Sequence, residues 1–149
     1  MLTSFFFVLG IVNNALLIVI FMLRKYRLDL IRRFGWIYLL LTIPAIYGIF
    51  LAVHDGASRY AIFLGIFLAY LLMEWLFDHI LSPVYRESWR QSWKWLTPYL
   101  VLYYAMNYGF VVMPRKTSLV WGLVMLVLFV VQIIANIRSH PGTGQRTLE

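Results

Sequence analysis

Cysteine is missing from all 149 residues, which excludes disulfides, thiolate nucleophiles and Cys-ligated metals within the chain. Charge is also scarce, at 13% of residues against the roughly 25% usual in soluble domains. Histidine is limited to His54, His79 and His140, too few for a di-iron bundle built on paired Glu-x-x-His motifs. No HExxH, GxSxG, Gly-rich phosphate loop or run of aspartates of the CDP-alcohol type occurs, so no local signature of a hydrolase, nucleotide enzyme or phosphotransferase is present. No cofactor can be assigned from such a sequence, and no metal site is expected.

What the chain has instead is apolar residues, 62% of the total. Crossing a ~30 Å hydrocarbon core takes about 20 of them in a row. Five runs qualify as candidates: residues 2–23, 34–53, 60–81, 98–113 and 117–137. The expected architecture is therefore all-α, a polytopic membrane protein with a bundle of about five transmembrane helices and a short interfacial helix. Residues 1–138 read as one transmembrane domain and 139–149 as a disordered tail, with Leu148 and Glu149 a possible cloning remnant. The run at 98–113 is the shortest, only about 24 Å as a helix. It must thin the bilayer, extend into the preceding segment or be shielded by its neighbours. Thr97 and Pro98 resemble an N-cap and N1 pair that starts it, and Pro114 ends it.

No basic residue precedes the first run and Arg24-Lys25-Tyr26 follows it, the pattern of a retained helix with its N-terminus outside. With alternating spans, ten of the thirteen Lys and Arg residues fall on one side: Arg24, Lys25, Arg27, Arg32, Arg33, Arg86, Arg90, Lys94, Arg138 and Arg146. The other side has Arg59, Arg115 and Lys116. The positive-inside rule then expects an integral cell-membrane protein, N-terminus outside and C-terminus cytoplasmic. Because the formal +7 charge flanks the apolar runs, it reads as membrane-surface anchoring and not as a nucleic-acid footprint.

Apolar surface gives helices no reason to leave lipid, so association must rest on close packing and interhelical hydrogen bonds. Ala61, Gly65 and Ala69 form a small-residue ladder expected to be a packing seam, with Ala105 and Gly109 a shorter one. Asn13, Asn14, Gln132 and Asn136 should point inward and bond across helices. Pro44 should kink the second span.

Two polar surfaces stand out. At 100° per residue, Tyr70, Glu74 and Asp78 step by about 40° each and share a stripe, with His79 at its border. Glu74 lies about two turns inside, where an ionisable group is a functional hypothesis by default. It is open to a catalytic role with Asp78 and His79, to ligand binding, or to a structural ion pair with Arg86, Arg90 or a basic residue of the first loop. The second surface is on the fourth span, where Tyr99, Tyr103 and Asn107 recur at i, i+4, i+8 beside Tyr104 and Tyr108. Tyr99 and Tyr108 suit an aromatic belt, while Tyr103, Tyr104 and Asn107 should face protein or a cavity. Between the two surfaces, Trp89 and Trp93 share a helical face next to Arg86 and Arg90, as in an interfacial helix that grips lipid headgroups.

The expectation drawn from these surfaces is a membrane module that binds, and as an oligomer transports, a small amphiphilic or cationic ligand through Tyr70, Glu74, Tyr103, Tyr104 and Asn107. Two alternatives remain open: a lipid-modifying enzyme using Glu74 or Asp78 as acid or base, and an accessory subunit of a larger membrane complex.

Overall fold

The computed structural model describes residues 1–79 and 89–139. Among these every regular element is helical: α1 Leu2–Tyr26, α2 Leu28–Phe34, a 3-10 helix at Gly35–Leu41, α3 Thr42–His54, α4 Ser58–His79, α5 Trp89–Arg115 and α6 Leu119–Ser139. Four stretches are long and apolar enough to cross a membrane: Leu2–Arg24, Gly35–His54, Ser58–Phe77 and Leu119–Ser139. The expected all-α bundle is thus observed, and its outer surface has the apolar character that lipid requires. Ile43, Phe50, Ile62, Leu72, Val101 and Val127 are all solidly exposed on it.

α1 holds the centre, packing against α3, α5 and α6, while α3 to α4, α4 to α5 and α5 to α6 close the rest of the bundle. Successive long helices are antiparallel. Met1, the Asp55–Ala57 turn and the Lys116–Ser118 turn share one end, which we call the turn end. Arg27, the end of α4, the start of α5 and Ser139 lie at the other.

Local chemistry explains the boundaries. Gly56 adopts φ 66°, the left-handed value that ends helices. With it Ala57 N–H reaches Ala52 C=O at 2.7 Å and closes α3 in a Schellman turn. Pro44 acts differently from the expected mid-helix kink. It sits in the first turn of α3, and its ring bars α geometry at the carbonyl four residues back. The preceding Gly35–Leu41 accordingly winds as a tighter 3-10 helix.

The expected fourth run, 98–113, is not among the four stretches long and apolar enough to cross: α5 runs 27 residues from Trp89, and the amphipathic stretch before Pro98 is continuous with the apolar run. Thr97 and Pro98 therefore lie inside the helix and do not start it. The small-residue readings divide. Gly109 is a true seam, because a Cβ there would overlap the Phe63 ring. Gly65 is exposed, with nothing within 4 Å of an added Cβ, so the Ala61-Gly65-Ala69 ladder is not the seam expected. Helical spacing marks small residues but not the side from which a neighbour approaches.

The core is aromatic. Phe6 and Phe67 pack on Phe110 at ring-centroid distances of 5.0 and 5.4 Å, and Leu64 and Met125 are wholly buried in the same cluster. Such ring pairs contribute ~0.5–1.5 kcal/mol each beyond area burial, which matters where lipid removes most of the hydrophobic term.

Candidate functional site

Tyr70 and Glu74 are one turn apart on α4, and both face the interior, 0% and 7% exposed. The Tyr70 hydroxyl donates to Glu74 Oε1 at 2.7 Å. From α5, the Tyr99 hydroxyl donates to the same oxygen at 2.6 Å. The two hydroxyl oxygens are themselves 3.0 Å apart, so three oxygens form a closed triangle joining α4 to α5. Rotating the two hydroxyls suffices to serve Glu74 either as a carboxylate or as an acid. Their rings meet neighbouring rings at a tilt: Tyr70 lies 5.4 Å from Tyr99 and 5.9 Å from Tyr103, and Phe77 lies 5.6 Å from Tyr99.

Two further tyrosines widen this cluster. Tyr103, one turn from Tyr99 on α5, and Tyr38, on the 3-10 helix, are both buried and within electrostatic reach of Glu74. The Tyr38 hydroxyl donates to Asn13 Oδ1 at 2.7 Å and so ties the 3-10 helix to α1. At the same end Arg24, at the close of α1, lies within electrostatic reach of the Tyr99 hydroxyl. The result is a buried carboxylate bonded by two tyrosines, with two more buried tyrosines in its neighbourhood.

The other expected site residues divide cleanly. Asn107 is buried, its Nδ2 donating to Tyr103 C=O on its own helix at 2.9 Å. Tyr104 departs from the expectation: it is 51% exposed and leans on Phe129 at the outer surface. It stands 100° around the helix from Tyr103, which carries it off the inward row. The side chains of Asp78, His79, Trp89, Arg90 and Trp93, and all of Arg86, lie outside the described residues, as do His140 and the tail.

Tyr99 and Tyr38 are the members that sequence reasoning missed. A signal existed for Tyr99, since it shares the i, i+4, i+8 row of Tyr103 and Asn107, yet a position near the membrane border favoured the aromatic belt. Tyr38 had none, because the 3-10 winding places it off any α-helical face. Asn13, Asn14 and Gln132 are fully buried as expected. Only Asn13 gains an interhelical bond, whereas Asn14 Nδ2 donates to Gly10 C=O within α1.

A cleft of about 410 Å³ opens at the turn end between Arg59, Tyr60, Met113 and Lys116. Beside it Thr3 and Tyr60 hydroxyls meet at 2.8 Å and pin α1 to α4. Among the described residues no three His, Asp or Glu side chains gather as metal ligands.

Fold and site together define an all-α membrane bundle with an acidic, tyrosine-lined interior. Searches against family models, curated proteins and solved structures found no match to the chain.

Proposed function

We propose that this protein is a membrane-embedded module that binds a small cationic or amphiphilic ligand at Glu74. The observation that carries the reading is the triangle of Glu74 with Tyr70 and Tyr99 inside the bundle. A carboxylate in a water-poor interior is costly, and a fold that retains one surrounded by aromatic rings has the elements that recognise organic cations. These are one negative charge for attraction and π faces for an apolar, positively charged surface. Tyr70, Tyr99 and Tyr103 supply the faces, and Tyr38 and Asn107 border them. The basic residues expected at that end of the bundle would hold it against anionic lipid, with the N-terminus outside and C-terminus cytoplasmic.

The test is equilibrium binding of radiolabelled tetraphenylphosphonium to protein in nanodiscs, with empty nanodiscs subtracted. Saturable binding is expected, weakened about tenfold or more by Glu74→Gln, which corresponds to roughly 1.4 kcal/mol of lost attraction. Equal affinity in wild type and Glu74→Gln would dismiss the carboxylate as the recognition element.

A further inference from the structure

Buried polar atoms normally find a partner, and in the middle of a membrane bundle bulk water does not reach them. Among the described residues six side-chain atoms are buried without one: Asn13 Nδ2, Asn14 Oδ1, Tyr103 Oη, Asn107 Oδ1, and both Nε2 and Oε1 of Gln132. They belong to five residues, each no more than 3% exposed. Gln132 and the Tyr103 hydroxyl approach each other at the margin of hydrogen-bonding geometry, so they interact without fully satisfying one another.

The five residues are in register. A Cβ on Gly10 would stand 2.7 Å from Met125 Cε and 2.8 Å from Phe110 Cδ1, so these three positions mark one level of α1, α6 and α5. About one turn further from the turn end come Asn13 and Asn14 on α1 and Asn107 on α5, ~5 Å along the axis. Two turns from the reference level come Tyr103 on α5 and Gln132 on α6, ~10 Å along. The next turn of α5 brings Tyr99 and the Glu74 triangle. In the other direction the column meets Phe6, Phe67 and Phe110, each buried to within 1%.

The chemistry of the unpartnered atoms selects what occupies the column. A carboxamide presents both a donor and an acceptor whichever way its ends are assigned. A bare cation would be repelled by the donors, whereas water both gives and accepts. We propose that the Asn13, Asn14, Asn107, Gln132 and Tyr103 column holds water. It forms a hydrated half-passage that runs from Glu74 into the middle of the bundle and stops at the Phe6-Phe67-Phe110 plug. Along it a proton from Glu74 moves over hydrogen-bonded water as far as the plug and back, and the two hydroxyls of the triangle relay it by rotating. The inference stands apart from the ligand reading, since it needs no bound solute.

Radiolytic hydroxyl-radical footprinting of the wild-type protein in nanodiscs tests the water directly. Radicals born from bound water oxidise side chains beside it, even where bulk solvent is excluded. Tyr103 is expected to be oxidised several-fold faster than the equally buried Phe67, and Gln132→Leu is expected to slow it. Oxidation of Tyr103 at the rate of Phe67 would overturn the proposal. The proton role is read separately, in liposomes with a trapped pH dye. Phe110→Ala, which thins the plug, should raise proton flux several-fold, and adding Gln132→Leu should return it toward the wild-type rate. A flux that ignores Gln132 would refute the path while leaving the tetraphenylphosphonium result untouched.

Discussion

Tyr99→Phe removes one hydroxyl and leaves the ring that packs 5.4 Å from Tyr70 and 5.6 Å from Phe77. Its cost therefore isolates one hydrogen bond. Two magnitudes compete. Neutral interhelical hydrogen bonds in membranes average only ~0.6 kcal/mol, with a maximum near ~1.7. A bond to an ionised group is worth ~1.5–3 kcal/mol, and for O–H to carboxylate it shortens to ~2.5–2.7 Å. The Tyr99 bond is 2.6 Å and ends on an oxygen of a side chain 7% exposed, so it belongs to the stronger class. A loss of ~2 kcal/mol is expected, measured by reversible unfolding in mixed micelles or by steric trapping in bicelles. Tyr70→Phe should behave alike, since its bond to the same oxygen is 2.7 Å. In a Glu74→Gln background the Tyr99→Phe loss should shrink to ~0.6 kcal/mol, because the acceptor is then neutral. A loss below ~0.5 kcal/mol in the wild-type background, or one unchanged by Glu74→Gln, would refute the idea that a charged carboxylate organises the site.

Other expectations follow from the same geometry. Gly109→Ala should lose ~1–3 kcal/mol, because its new Cβ must displace the Phe63 ring, while Gly65→Ala stays within ~0.5 kcal/mol. Equal losses in unfolding experiments would undo the assignment of the seam. Tyr103→Ala should cost ~3–5 kcal/mol as a buried aromatic truncation, whereas the 51% exposed Tyr104→Ala costs far less and leaves tetraphenylphosphonium binding unchanged. The cysteine-free chain suits accessibility mapping. Lys116→Cys is expected to react with an impermeant maleimide on intact cells, and Arg138→Cys only after permeabilisation. The reverse pattern would invert the orientation expected from the basic residues.

The comparison of Tyr103, Tyr104 and Tyr99 shows how far one dimension reaches. Composition and run length were sufficient for the bundle, because the requirement that lipid-facing backbone bond to itself leaves helices as the natural solution for apolar runs of this length. The i, i+4 spacing of Tyr70 and Glu74 was sufficient for their shared face, since that relation lies within a single helix. Spacing is silent on which face turns inward, and so by spacing alone Gly65 reads as a seam and Tyr104 as a pocket wall. The joining of Glu74 to Tyr99 depends on α4 lying against α5 at one particular rotation, a relation between residues 25 positions apart.

By itself, then, the sequence determined the solvent of this protein, its all-α character and the presence of an acid among aromatics. Each is a property of local composition, and lipid reads composition directly. Only the tertiary structure decided that tyrosines from two neighbouring helices bond that acid, that Tyr104 faces outward, and that Asn13, Asn14, Asn107 and Gln132 are buried with unpartnered atoms. Those facts follow from helix rotation and register. In lipid these are chosen by close contacts such as Gly109 against Phe63 and by a few hydrogen bonds, none of them visible along a single strand of chain.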